Sequence, residues 1–138
     1  MKTARIIAAA ALAGLLCSPA LAGEKKDPET RLAEHLEGYV AGEPVKCIDL
    51  HRIQGSTIYD KTAIVYDAGS TIYVNRPDNG AKSLRRSDVM VTKLHTNQLC
   101  DIDTVEMRDT SGFFSGIVFL GKFVPYKKVP QADVEEKG

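Results

Sequence analysis

Short runs of strand-forming residues, separated by turn residues, fill most of this chain and limit what it can fold into. After Pro44, each run is rich in Val, Ile, Tyr and Thr, and Gly, Asn, Ser or Pro interrupts the chain at intervals of roughly ten residues. No segment between the runs has the pattern of a crossover helix, which parallel strands require. The pattern predicts a mostly β domain, an antiparallel barrel or sandwich of about seven short strands. The predicted strands are Val45–Ile53, Thr62–Asp67, Thr71–Asn75, Asp88–Leu94, Thr104–Arg108, Phe113–Leu120 and Phe123–Tyr126.

Two of these regions depart from simple alternation. Cys100 and Ile102 fall on one parity, whereas the apolar residues that follow Asp103 fall on the other. One face of a regular strand cannot hold both sets, so we predict a tight turn or a bulge near Asp103. The run Phe113–Leu120 is apolar on both parities. It therefore predicts a central strand that is covered on both faces.

A single helix is predicted near the start of the domain, at about residues 28–37. Asp27 is suited to the N-cap, Pro28 to the first helical position and Glu29 to the positive end of the helix dipole. Gly38 is placed to end the helix in a left-handed conformation. Apolar residues recur at helical spacing and predict a helix lying on the domain. They are Leu32, Leu36, Tyr39 and Val40.

The first 22 residues have the organisation of a cleavable signal peptide. Two basic residues precede an apolar run, Ile6–Leu16, which is too short to span a bilayer of about 30 Å. Small residues flank Leu21, which predicts cleavage after Ala22. An uncleaved anchor and a lipoprotein signal at Cys17 are the alternatives, and the bulky Leu16 disfavours the second. The sequence thus predicts a periplasmic or secreted protein with one domain, 23–126, and a flexible polar tail, 127–138.

The charge balance bears on the classes of partner. The full chain carries 18 basic and 18 acidic residues, and removing Lys2 and Arg5 with the signal peptide leaves a formal net charge of −2. A near-neutral domain gives no electrostatic case for binding nucleic acid and no strong field toward a membrane surface. We expect a monomer, with no stable membrane insertion after cleavage of the signal peptide.

Two cysteines remain in the mature chain, Cys47 and Cys100. In an oxidising compartment, a pair of cysteines in a small domain predicts a disulfide. It closes a loop of about 54 residues, which stabilises by roughly 4 kcal/mol in the loop-entropy model. The alternative is a zinc site in which His51 and His95 join the two cysteines, although the spacing fits no standard zinc pattern.

The β region contains five short motifs: Cys47–Ile53, Ile58–Asp60, Leu99–Cys100, Asp103–Val105 and Leu120–Pro125. They resemble an uncharacterised family of small exported proteobacterial proteins. The resemblance covers roughly residues 45–125, and the family has no assigned activity. It implies two further cysteines, which here are replaced by Ala81 and Val118. Loss of both partners of a second disulfide predicts that these two residues are spatial neighbours.

The candidate chemistry is limited to a few polar side chains. Asp49 and His51 share a strand face, where a carboxylate can orient an imidazole for general-base work. Asp101 and Asp103 form an Asp-x-Asp that suits a divalent cation, although Asp103 is more typical of a carboxylate that caps a turn. No nucleophile has a recognisable catalytic setting. A hydrolase centred on these four residues, metal-dependent or based on the His–Asp pair, is the alternative function.

Two further groups are candidates for binding. Tyr59, Tyr66 and Tyr73 recur every seven residues, so they can line one surface, and tyrosine is enriched at interfaces. Packing against the core or the helix is the other explanation, and the more common one. A basic cluster suits an anionic partner such as lipopolysaccharide or a phosphate; its members are Lys82, Arg85 and Arg86.

These observations favour a binding or protein-interaction module over an enzyme. Export, a cross-link and an exposed sheet surface are predicted, whereas motifs for a cofactor are absent from the sequence. We therefore predict no cofactor, and another envelope protein as the partner.

Overall fold

The computed structural model describes residues 23 and 25–130. The predicted signal peptide and residues 131–138 of the predicted tail lie outside this part of the chain. No helix in the described residues combines the length and the apolar character needed to cross a membrane.

Ten antiparallel strands and one α-helix make up the described domain, which confirms the predicted mostly β class. A five-stranded sheet has the order β1-β10-β5-β4-β3, a two-stranded ribbon pairs β2 with β7, and a three-stranded sheet has the order β6-β8-β9. Each sheet is open at its edges, so within the described residues the arrangement is sandwich-like and not a closed barrel. The elements are α1 (Pro28–His35), β1 (Tyr39–Ala41), β2 (Cys47–Asp49), β3 (Gly55–Tyr59), β4 (Ala63–Asp67), β5 (Thr71–Asn75), β6 (Val89–Val91), β7 (Gln98–Cys100), β8 (Thr104–Arg108), β9 (Phe114–Phe119) and β10 (Phe123–Lys128), with 3₁₀ helices at Leu50–Arg52 and Ala81–Ser83.

The helix begins where the sequence predicts and ends two residues earlier. The Asp27 side chain accepts a hydrogen bond from the Thr30 amide at 3.0 Å, and that bond and the Thr30 hydroxyl hold the pKa of Asp27 below its ordinary value. Leu32 is fully buried. Gly38 adopts φ +80, and the chain then enters β1. Because Val40 belongs to this edge strand, it is 59% exposed and is not part of the helical stripe.

The five-stranded sheet is covered on both faces at its centre. In β4, Ala63 and Val65 face α1, whereas Ile64 and Tyr66 face the other sheets. All four are buried, because the period of two sends alternate side chains to different cores. The core beneath the helix contains Leu32, Tyr59, Ala63, Val65, Ile72 and Val74.

The larger core lies between the five-stranded sheet and the two smaller ones. The ribbon contributes Ile48 and Leu99, which are opposite each other in register. Cys47 and Cys100 are the next pair and form the predicted disulfide, with an S–S distance of 2.05 Å. The other members of this core are Ile58, Ile64, Tyr66, Leu84, Val105, Met107, Val118, Leu120 and Phe123.

The predicted turn near Asp103 is present. The Asp103 amide donates to the Cys100 carbonyl at 3.0 Å, and the Cys100 amide donates to the Asp103 carboxylate at 2.7 Å. This turn ends β7 and starts β8, which explains the change of parity. The carboxylate therefore acts as the turn cap that the sequence favoured.

The prediction of a central strand at Phe113–Leu120 is wrong. β9 is the last strand of the three-stranded sheet. Its register against β8 shifts, so that Met107 is opposite Gly116 whereas Arg108 is opposite Phe114. Ser115 is the extra residue of a β-bulge, and the bulge reverses the parity of Phe114. Apolar residues of both parities thus reach one outer face.

Other boundaries also need correction. The sequence predicts about seven strands, and the structure adds β1, β3 and β7, which are short or begin in residues typical of turns. β3 starts at Gly55, a residue type that is more typical of turns than of strands. β10 continues to Lys128 and pairs with Tyr39 and Val40, so residues 127 and 128 belong to the domain and not to the tail.

The segment around residue 80 crosses the edge of β9. Asn79 bridges to Phe119, and Gly80 follows with φ +79. A β-carbon on Gly80 would lie 2.3 Å from the Ile117 carbonyl oxygen and 3.1 Å from Cα of Val118, so only glycine fits there. The segments that carry Ala81 and Val118 are therefore adjacent. That these two residues replace a disulfide stays a prediction.

Candidate functional site

The outer face of the three-stranded sheet presents large apolar side chains to solvent. Residues paired across an antiparallel sheet share a face, and the pairs Arg108–Phe114, Glu106–Ile117 and Thr104–Phe119 place the β9 side chains on the side away from the core. Exposed Phe113 directly precedes β9 in sequence, and exposed Ile102, which precedes β8, lines a depression together with Phe119. We call the exposed set the open face; it consists of Val89, Ile102, Phe113, Phe114, Ile117 and Phe119.

Exposure of these side chains is large. Phe113 is 72% exposed, Phe114 62% and Ile102 87%. Single exposed apolar residues are normal, but a continuous group of them on one surface marks an interaction site or an aggregation hazard. The neighbouring row on β8 is charged, and Arg108 Nη2 lies 3.1 Å from Glu106 Oε2. This ion pair gives the open face a polar stripe between β9 and Val89.

Three carboxylates border one end of the open face. Asp78, Asp101 and Asp103 line a depression of about 430 Å³ together with Ile102 and Phe119. We call these three aspartates the acidic notch. None of them forms an ion pair with a lysine, arginine or histidine in the described residues. The notch therefore offers negative charge beside exposed apolar surface.

The predicted hydrolase set is split between the two ends of the ribbon. Asp49 is opposite Gln98 at one end, whereas Asp101 follows Cys100 at the other. The His51 Nδ1 lies 3.4 Å from Asp49 Oδ1, and the imidazole is 70% exposed. His51 lies in the 3₁₀ helix Leu50–Arg52 and not on a strand face shared with Asp49, which corrects the prediction. The pair forms on an open surface and does not join Asp101 and Asp103.

The zinc alternative does not fit the structure. Cys47 and Cys100 are bonded to each other, so neither sulfur is a thiolate ligand. Over residues 25–130, no group of three or more His, Cys, Asp or Glu side chains is placed to hold a metal ion.

The three tyrosines do not line one surface; they pack in or against the two cores. Tyr66 and Tyr73 are opposite each other on β4 and β5 and contact the larger core. Tyr59 belongs to the core under the helix, where its hydroxyl lies 2.6 Å from Nδ1 of His35. Burial raises the pKa of Tyr59 and of Tyr66, so both hydroxyls stay protonated. These side chains serve packing.

The structure separates one member of the predicted basic cluster from the other two and brings cations from other segments to those two. Lys82 lies in the 3₁₀ helix Ala81–Ser83, away from the cleft that Arg85 and Arg86 line. Arg86 also lines an adjoining cavity of about 710 Å³, to which α1 contributes Arg31 and the residues before α1 contribute two lysines. Lys61 lines the first cavity together with Arg85. We call this region the basic cleft; its cations are Lys25, Lys26, Arg31, Lys61, Arg85 and Arg86.

The sequence analysis did not predict the open face or the full basic cleft. Ser115-Gly116 inside an apolar run was a sequence signal for the open face, since glycine within a strand pattern often marks a bulge. The second had no local signal, because the cleft joins residues about 55 positions apart in the chain.

No protein-family model, curated protein or solved structure matches this chain. The resemblance to an uncharacterised exported family therefore stays a prediction, and the candidate function depends on the surfaces described above.

Proposed function

We propose that this chain is an exported binding module that docks a second envelope protein on the open face. The observation that carries the proposal is the group of exposed aromatic and aliphatic side chains on and beside β9. Phe114, Ile117 and Phe119 share one face because of the bulge. Removing such surface from water stabilises a complex by roughly 25 cal/mol per Å² before the cost of association.

The chemistry of the open face suits a protein partner. Aromatic side chains are enriched at the buried centres of interfaces and supply much of the binding energy there. Phe113 and Phe114 are adjacent, and Phe119 lies at the far end of the same strand. A polar stripe of Glu106 and Arg108 runs beside them and provides hydrogen-bonding groups at the border of the contact.

The acidic notch narrows the class of partner. Asp78, Asp101 and Asp103 lie next to Phe119 and Ile102 and lack basic partners within the described part of the chain. A partner with a Lys or Arg beside its own apolar residues is complementary to this surface. A second copy of this chain would need to bring a cation to the same place. Among the described residues, the cations beside the open face, Arg108 and Lys93, both pair with Glu106.

Export is the second part of the proposal. Its support is the predicted signal peptide at 1–22 together with the disulfide, which is favoured in an oxidising compartment. The periplasm or the outside of the cell then supplies the partner.

The test is selection from a displayed peptide library, with wild-type protein as bait. Counter-selection against a Phe114→Thr/Phe119→Thr variant discards peptides that bind elsewhere on the protein. Val40→Thr is the control variant, because Val40 is also an exposed edge-strand residue. We expect selected peptides to alternate apolar residues and to carry a Lys or Arg. Their amide-shift perturbations in NMR spectra should concentrate on β8, β9 and the notch.

Two results would contradict the proposal. One is selection of peptides that bind the double variant as well as the wild type. The other is sedimentation of the wild type as a dimer that the double variant converts to a monomer, since the occupant would then be a second copy of the chain.

A further inference from the structure

We propose that the basic cleft binds a phosphate-bearing anion, in the form of a phosphomonoester or pyrophosphate group. This site is distinct from the open face and does not depend on it. Four separate segments bring cations to it: the residues before α1, α1 itself, the β3–β4 turn and residues 84–87. Arg31 and Arg86 line the same cavity although they are far apart in the chain.

The carboxylates of the cleft are already engaged. Asp27 caps α1 through the Thr30 amide. Glu34 is paired with Lys26 at 2.5 Å. Asp60 accepts the backbone N–H of Arg86 at 2.5 Å. These bonds orient the three carboxylates but do not remove their charge. The cleft brings six cations together with these three carboxylates, and apart from Lys26 its cations form no ion pair within the described residues.

The free cations are held in place by packing and by the backbone. The Arg31 guanidinium lies 5.9 Å from the centre of the Tyr59 ring, and arginine stacks favourably on aromatic faces. The segment that carries Arg85 and Arg86 is fastened to the β3–β4 turn at two points. One is the bond to Asp60, and the other is the bond from the Lys61 amide to the Leu84 carbonyl at 3.0 Å.

Lys61 adds a backbone observation. It has φ +56, and it is the non-glycine residue with positive φ in the described chain. Glycine adopts this conformation without strain, whereas a lysine here keeps a charge at the rim of the cleft at a conformational cost. Strained residues of this kind cluster at functional sites.

The charge and shape of the cations favour phosphate. Guanidinium groups present a planar fork that matches phosphate oxygens in bidentate fashion, and Arg31, Arg85 and Arg86 supply three of them. The cations of the cleft exceed its carboxylates by three charges. A dianionic group complements this excess of positive charge better than a single carboxylate does.

The test is an NMR titration of the wild-type protein with inorganic pyrophosphate. We expect saturable shifts of the Thr30, Lys61 and Arg86 amides. The Arg31→Gln/Arg86→Gln variant should bind roughly tenfold more weakly or worse, because it loses two charge-assisted contacts. Its fold is preserved, since the backbone N–H of Arg86, and not its side chain, donates to Asp60. Arg52→Gln is the matched control; Arg52 is 82% exposed and lies outside the cleft.

A second arm distinguishes the source of the phosphate. Phosphatidylcholine vesicles that contain phosphatidic acid are compared with vesicles that contain phosphatidylserine at equal charge. Stronger binding to the phosphatidic acid vesicles than to free pyrophosphate, with the same loss in the double variant, identifies a lipid headgroup. Weaker binding to the vesicles identifies a soluble phosphate ester.

The proposal is overturned if the double variant binds pyrophosphate as the wild type does. It is also overturned if Arg52→Gln weakens binding equally, since the attraction would then come from general charge. Equal binding to both kinds of vesicle with no binding of pyrophosphate contradicts a phosphate site as well.

Discussion

Strands β4 and β9 have similar sequence patterns and opposite surroundings. Both are apolar on both parities. In β4, Ile64 and Val65 are buried against different cores, because the larger core covers one face of the sheet and α1 covers the other. In β9, Val118 is buried, whereas Ile117 and Phe119 are exposed. The same composition therefore serves folding in one strand and leaves a surface for a partner in the other.

The difference arises from the helix and the bulge. α1 provides the second cover for the five-stranded sheet, and no corresponding element covers the three-stranded sheet in the described chain. The bulge at Ser115 then concentrates Phe114, Ile117 and Phe119 on the uncovered side. A strand that is apolar on both parities is thus either central or an interface strand, and only its neighbours decide which.

Loss of the disulfide is the largest expected effect on stability. The Cys47→Ala/Cys100→Ala variant should lose about 4 kcal/mol of unfolding free energy, because the cross-link closes a long loop in the unfolded chain. Urea denaturation measures this loss. Wild-type protein with reduced cysteines is the control and should behave like the variant. A loss under about 1 kcal/mol would mean that the ribbon stabilises the larger core without its cross-link.

Matched truncations of Ile64 and Ile117 test whether β4 and β9 contribute differently to stability. Ile64→Ala should cost about 3 kcal/mol, since it leaves a cavity at a fully buried site. Ile117→Ala should cost under about 1 kcal/mol, because its side chain is 38% exposed. Thermal and urea unfolding both report the difference. Equal costs for the two variants would show that the open face contributes to folding.

Asn75 tests the interior of the covered sheet. Its side chain is buried and bonds both the carbonyl of Gly121 at 2.6 Å and the amide of Gly121 at 3.1 Å. Asn75→Ala leaves these groups unpaired away from water and should cost about 2 kcal/mol. The exposed Asn97→Ala is the control for loss of an amide. An Asn75→Ala variant as stable as the control would contradict the role of this pair.

The smallest expected effect concerns the attachment of the helix. Arg76 bonds Glu29 and holds the pKa of that carboxyl below its ordinary value of 4.5. The lowered pKa means that the stabilisation is present above about pH 4.5 and is lost as pH falls through the folded-state pKa. Glu29→Gln should cost at most about 1 kcal/mol near pH 7, because both side chains are largely exposed. A difference from wild type that persists in strong acid would contradict an ionic origin.

Much of the fold could be predicted from signals between neighbouring residues in the sequence. Asp27 and Pro28 marked the start of the helix, and the bounds of β5 and β8 followed from alternation between turn residues. The cysteine pair was predictable because few alternatives exist in a small exported domain. These features depend on neighbours in sequence, which one chain displays directly.

The remaining features depend on contacts between distant segments. Three-residue edge strands such as β1 have no period to detect. A bulge changes parity by one residue, and Gly116 alone marks it. Tyr59 and Tyr66 fall in different cores because a turn intervenes between β3 and β4. The convergence of Arg31 and Arg86 follows from the way α1 packs on the sheet, which the sequence pattern does not specify.

Site-specific photo-crosslinking tests the docking role of the open face most directly. A photoreactive phenylalanine replaces Phe119 in one variant and Val40 in the other, and cells that express the full chain are irradiated. If a partner docks on the open face, we expect a discrete adduct from position 119 and none from position 40. The adduct from position 119 should be lost when Phe114→Thr is added. The attached peptide should carry apolar residues next to Lys or Arg. Docking of another protein on the open face would be contradicted by any of three results: no adduct at position 119, equal adducts at both positions, or an adduct with a second copy of this chain.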